Sequence, residues 1–188
     1  MESLSLNQAS ELLKNNPGAF TTPESLQSLI EHVNMETSGK ITIFYSGKYG
    51  DTWTNDIVEA MNEADDDVRI INKTDVAKLL NTQEFKAAAG RAFGIFSQTE
   101  LNSSLAYGST SPLNDFFYNA TNGMWAQAST RFARETVGEV TTLTAFADFD
   151  RTFAQIELPV ILANPNITTT KGVTYELCQR SGQSGGFR

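Results

Sequence analysis

Trp125, Ser129 and Glu157 set three chemistries within one stretch, GMWAQASTRFARETVGEVTTLTAFADFDRTFAQIELP at residues 123–159. An aromatic face attracts cations, a hydroxyl hydrogen-bonds, and a carboxylate stabilises developing positive charge. Helical spacing puts Trp125, Ser129 and Phe132 at i, i+4 and i+7 on one face, while Arg134 points the opposite way. This helix is expected to stop near Gly138, a natural residue for the left-handed position after a helix. Further on, Ala154-Gln155-Ile156-Glu157-Leu158 alternates, which predicts a strand with Ile156 and Leu158 buried and Gln155 and Glu157 on the other face. Glu157 is then expected to project from a strand end, where one pocket collects it with the helix face.

At these residues the chain resembles the ADP-ribosyl cyclases, a family of NAD glycohydrolases and cyclases. The resemblance is carried by Trp125, Ser129 and Arg131-Phe132-Ala133, followed about twenty residues later by Thr152, Phe153 and Glu157. Phe44-Tyr45-Ser46-Gly47 is similar to the family's apolar-Trp-Ser-Gly segment, with Tyr45 in the place of the Trp. Lys73-Thr74-Asp75 is a loose match to the family's Thr-x-Glu-Asp setting, which makes Asp75 the candidate acid there. Taken together the resemblance spans residues 41–178, with its specific motifs in the last third.

The resemblance implies cleavage of the nicotinamide–ribose bond of NAD, giving nicotinamide with ADP-ribose, cyclic ADP-ribose or both. NAD is then the substrate, and no cofactor is implied. The leaving group is a cationic pyridinium that departs as neutral nicotinamide, so one carboxylate suffices where O-glycosidases use a pair. By resemblance Glu157 holds the ribose and stabilises its oxocarbenium-like charge. Trp125 stacks on the nicotinamide ring, and Ser129 reaches the same place one turn along. Thr152 and Phe153, placed on the turn before the expected strand, would hold the pyrophosphate through a hydroxyl and backbone N–H groups. Tyr45, Ser46 and Gly47 line the pocket mouth. The competing class is a nucleotide-sensing binding module of the same fold without the chemistry, favoured by Tyr45 replacing Trp and by the weak match at Asp75. Alone, each residue also has an ordinary reading: Trp125 as core, Glu157 as an exposed strand residue, Ser129 as filler.

A formal charge of −8 over 188 residues and a pI of about 4.6 argue against nucleic-acid and anionic-membrane surfaces, which take clustered Lys and Arg. Cys178 is the only cysteine, so no intramolecular disulfide forms, unlike the bridged animal members of the resembled family. His32 is the only histidine, which excludes a multi-histidine zinc site and a His-based triad. Ser46-Gly47-Lys48 lacks the phosphate-loop pattern, because Lys48 follows the wrong glycine. Asp65-Asp66-Asp67 reads as a solvated turn rather than a metal site. The N-terminus carries no basic region followed by an apolar run, so a signal peptide and a membrane span are not expected. The expected location is the cytoplasm, or outside the cell by a non-classical route as a toxin or effector domain, which would bring an immunity protein as partner.

Helices are expected near residues 4–13 and 23–33, the second marked by Thr22 as N-cap and Pro23 at its first position. A strand at 40–45 leads through a Gly-rich loop to a helix at 52–63, and a short strand follows at 68–71. Two helical segments are expected in 72–90, a short strand or buried turn at 92–96, a polar loop at 102–111 and a helix at 113–120. Strands at 158–163 and 172–179, the latter with Val173, Tyr175 and Leu177 on one face, close the pattern. The expected fold is α/β: a helical N-terminal lobe packed on a small, mostly parallel C-terminal sheet. The chain reads as one catalytic domain over 1–180, with a helical lobe from 1–40 and 72–137, a sheet lobe from 40–71 and 138–180, and a flexible tail at 181–188.

Overall fold

The computed structural model describes residues 3–37, 39–49, 51–145 and 152–172. The elements run α1 (Leu6–Asn15), α2 (Pro23–His32), β1 (Ile41–Tyr49), β2 (Thr52–Trp53), α3 (Thr54–Ala64), β3 (Val68–Arg69), α4 (Asp75–Asn81), α5 (Gln83–Ala92), α6 (Gln98–Ser104), α7 (Pro112–Tyr118), α8 (Met124–Glu135), β4 (Gly138–Ala145), α9 (Leu158–Ala163) and β5 (Ile167–Gly172). A π-helical turn, Phe153–Glu157, leads directly into α9. The fold is α/β with a small, mostly parallel sheet. The chain divides into two units, Met1–Glu36 with Asn72–Phe132, and Thr37–Ile71 with Ala133–Arg188.

In the first unit, side-chain hydroxyls start the helices. Ser5 and Gln8 form a reciprocal capping box on α1, and Thr22 and Ser25 form another on α2. Thr74, Thr82, Ser97 and Ser111 each accept a backbone N–H at the start of α4, α5, α6 and α7. Each such cap contributes about 1 kcal/mol to its helix. The apolar stripes they orient meet in a core that includes Leu26, Ile30, Leu79, Leu80, Phe85, Leu113 and Phe117. Phe85 and Phe117 meet edge to face with ring centroids 5.9 Å apart. Arg131 reaches across from α8, its Nη1 donating to Val33 O at 2.7 Å and, beside the capping Val33 N–H, to Ile30 O at 3.0 Å, which ties α8 to the end of α2. Before α8 the chain doubles back so tightly that a Cβ on Gly123 would lie 2.7 Å from the backbone of Asn119, so only glycine fits.

In the second unit, β1 is central. It pairs in parallel with β3 over its first residues and with β4 along most of its length, and β5 adds in parallel to β4. Beyond Gly47, β1 folds back on β2 as a short antiparallel hairpin that sets Lys48 opposite Trp53. Ile43 packs with Val58 of α3, Val68 of β3 and Ile70, and Ile41, Tyr45 and Leu143 flank this cluster. Asn164 joins α9 to the end of α8, its Nδ2 donating to Ala133 O, Arg134 O and Thr136 O at 2.8–3.1 Å. Among the described residues, no helix is long and apolar enough to cross a membrane.

Several elements differ from what the sequence predicts. The strand expected over 154–158 and its continuation over 158–163 are helical, with Phe153, Glu157 and Ile161 buried at a spacing of four rather than alternate residues. Pro159 explains the form of the turn: its ring crowds the carbonyl four residues back and it has no N–H to offer. The helix opens just before it, and Leu158 N–H bonds to Phe153 O, five residues back. β4 forms where no strand is expected, although Val140-Thr-Thr-Leu-Thr144 has the β-branched content of one. α8 ends at Glu135, and Gly138 instead opens β4 with φ +84°. Of the two forms expected at 92–96 the structure has the turn, with Phe93 and Ile95 half-buried and Phe96 exposed, and α6 occupies the start of the expected polar loop. Val173, Tyr175 and Leu177 lie outside the described residues.

Candidate functional site at the end of strand β1

Glu157 ends the π-helical turn and is only 7% exposed. Its position corrects the expectation of a strand-end residue on a polar face: the wider turn points it inward. A buried carboxylate is uncommon and is kept where charge is paired or used. The turn lies against β1, and π-turns inside helices are frequent at functional sites.

Tyr45 lies near the C-terminal end of the β1–β4 pairing, in register with Leu143. Burial pushes its phenol well above the ordinary tyrosine range, and the carboxylates of Glu157 and then Glu59 push it further. Two residues that the sequence singled out separately, Tyr45 and Glu157, are therefore electrostatic neighbours. The phenol stays protonated across the physiological range and is available as a donor. Glu59, on α3 one residue after Val58, is the group that sequence reasoning missed. No motif marks it, because its proximity to Tyr45 arises from helix-on-sheet packing.

The raised phenol ties stability to alkaline pH. In the unfolded chain Tyr45 ionises near its ordinary value of 10.0, while the folded chain holds the proton to higher pH. The stabilisation is therefore complete below that value and declines as pH rises through it, because the unfolded state then binds fewer protons. Tyr45→Phe should flatten this part of the melting-temperature profile above about pH 10 and leave the neutral part little changed. Superimposable alkaline profiles for the two proteins would contradict the placement of Tyr45.

Ser46 and Gly47 follow Tyr45 to the C-terminal ends of the parallel strands, in register with Thr144 and Ala145. Crevices at the carboxyl ends of strands are where open α/β sheets bind ligands. Gly47 adopts φ +88°, a conformation that glycine supplies without strain, and its carbonyl accepts the Thr54 hydroxyl at 2.9 Å. Thr152 is half-buried in right-handed helical backbone at the start of the π-turn, not on a loop before a strand. Phe153 is 2% exposed, so its ring anchors the turn rather than opening to a ligand.

Three further candidates belong to the helical unit. Ser129 is buried and Trp125 half-buried on α8. Asp75 is the first residue of α4, and its Oδ2 accepts the Leu6 N–H at 3.0 Å, so this carboxylate helps to hold the start of α1. His32 is exposed, with Nδ1 at 2.7 Å from Ser28 O. At 65–67, Asp65 Oδ1 accepts the Asp67 N–H at 2.9 Å and Asp67 pairs with Lys40 at 3.2 Å, the arrangement of a solvated turn. Among the described residues, no three His, Cys, Asp or Glu side chains gather as a metal site. Compared with known proteins, the chain matches no family model and no curated protein sequence.

Proposed function

We propose that this chain cleaves the bond between ribose C1′ and nicotinamide in NAD, with Glu157 as the catalytic carboxylate. The observation that carries the reading is the buried Glu157 carboxylate on a turn packed against β1, its charge acting on the buried, protonated Tyr45 phenol near the carboxyl ends of the parallel strands. As the bond breaks, its electron pair moves to the pyridinium nitrogen and quenches that charge, while C1′ takes on oxocarbenium character. A fixed carboxylate stabilises that developing charge and stabilises the ground state less. Water then adds to C1′ and gives up a proton, which yields ADP-ribose. Attack by the adenine end gives the cyclic product instead. Tyr45, neutral and donating, suits a role in orienting Glu157 or a ribose hydroxyl. Such a domain would suit a toxin or effector, for which an immunity partner would be expected.

Trp125 and Ser129 stay in the proposal on the resemblance alone. Trp125→Phe is expected to keep part of the NAD turnover and Trp125→Ala to lose most of it with an unchanged melt, since a face over a cationic ring is worth about 2 kcal/mol when desolvated. An alanine variant that unfolds assigns the ring to the core. The second reading, a nucleotide-binding module without chemistry, is favoured by the engagement of Asp75 with Leu6. Incubating the protein with NAD and measuring free nicotinamide by chromatography decides between the two: release supports cleavage, and binding without release supports the module.

A further inference from the structure

One face of the central strand pair carries hydroxyls where apolar side chains would be expected. Alternation and register place Thr42, Phe44 and Ser46 of β1 beside Val140, Thr142 and Thr144 of β4, on the face opposite Tyr45 and Leu143. Thr42, Thr142 and Thr144 are all buried, with Thr144 5% exposed. The Thr142 hydroxyl reaches Lys171 O on β5 at 3.4 Å. Those of Thr42 and Thr144 have no hydrogen-bond partner among the described residues.

A buried hydroxyl without a partner is a cost that valine, of the same shape, would avoid. Such a group in a native fold calls for a reason. The two orphans differ in position. Thr42 is fully buried at the beginning of β1, the end away from the carboxyl edge of the strands. Thr144 sits one residue from the end of β4, in register with the half-exposed Ser46 at the edge where parallel sheets take ligands.

We propose that Thr144 is a ligand-binding residue whose hydroxyl bonds an oxygen of the ribose–phosphate part of the dinucleotide, beside Ser46. This rests on the NAD reading above and adds a residue that neither the motif nor the resemblance marks. Thr42 is then the matched control, an orphan hydroxyl out of ligand reach.

The test compares Thr144→Val, Thr144→Ser and Thr42→Val with wild type by calorimetric titration of ADP-ribose, thermal melts and nicotinamide release. Thr144→Val should bind ADP-ribose about five- to tenfold more weakly, the loss of one neutral hydrogen bond, with an equal or higher melting temperature. Thr144→Ser, which keeps the hydroxyl, should stay within about twofold, and Thr42→Val should melt a few degrees higher with unchanged affinity. If wild type releases nicotinamide but Thr144→Val binds ADP-ribose within about twofold of it, the subsite is overturned and the NAD reading stands. A Thr144→Val melt several degrees lower also overturns the subsite, because the hydroxyl then has a partner within the fold. A wild type that neither binds ADP-ribose nor releases nicotinamide overturns both.

Discussion

Glu157→Gln should lower the turnover number for nicotinamide release about 10²- to 10³-fold, the usual loss on removing one preorganised electrostatic group. Glutamine keeps the size and much of the hydrogen bonding and removes the charge, which matters most when C1′ turns cationic. NAD affinity should change far less than turnover, since the rest of the site is untouched. Because Glu157 is buried rather than at a strand end, the variant also removes the desolvation cost of a carboxylate, so its melt should shift little in either direction. A second readout is independent of function. With the Glu157 charge gone, one contribution raising the Tyr45 phenol disappears, so a spectrophotometric titration should find that tyrosine ionising at lower pH than in wild type. Turnover within about threefold of wild type sinks the mechanism. An unmoved tyrosine titration contradicts the Tyr45–Glu157 neighbourhood itself.

That neighbourhood was only half legible in the sequence. Tyr45 and Glu157 each carried a motif, but their proximity is a long-range consequence of the π-turn lying against β1. Glu59 carried no signal, because a glutamate after an apolar valine on an amphipathic helix looks like any solvent-facing position. Local signals served the helical segments best. Thr22-Pro23 marked the start of α2 through capping chemistry that acts within four residues, and the structure has that cap in place. The sheet was harder to read. Val140 to Thr144 is an interior strand whose Thr142 and Thr144 face a buried side, so polarity disguised it as a connector. In the opposite sense, Ile156 and Leu158 gave five residues of alternation that a helix satisfies equally well. Pro159 was the available discriminator, since proline suits the first turn of a helix and weakens a strand.

The same misreading changes what Phe153 is expected to do, and its removal should have the largest effect on stability. As a residue on a loop before a strand, it would meet the ligand, and truncating its ring would weaken binding while leaving the fold intact. As the structure has it, the ring is 2% exposed at the start of the turn that ends in Glu157, four residues on. Burying a phenylalanine and then truncating it to alanine costs about 3–5 kcal/mol, the lost transfer energy plus a cavity. For a chain of this length each kcal/mol lowers the melting temperature by about 2–4 °C, so Phe153→Ala should melt roughly 6–20 °C below wild type. Activity should fall even well below that melt, because a turn without its anchor no longer fixes the position of the carboxylate, and misplacement by about 1 Å is enough to cost 10²-fold. Phe153→Leu separates the two roles. Leucine refills most of the cavity, so an anchoring ring predicts recovery of most of the stability and turnover with little change in KM. A ligand-facing ring predicts the reverse: a normal melt in both variants and a raised KM that leucine does not correct, and that result would return Phe153 to the binding surface.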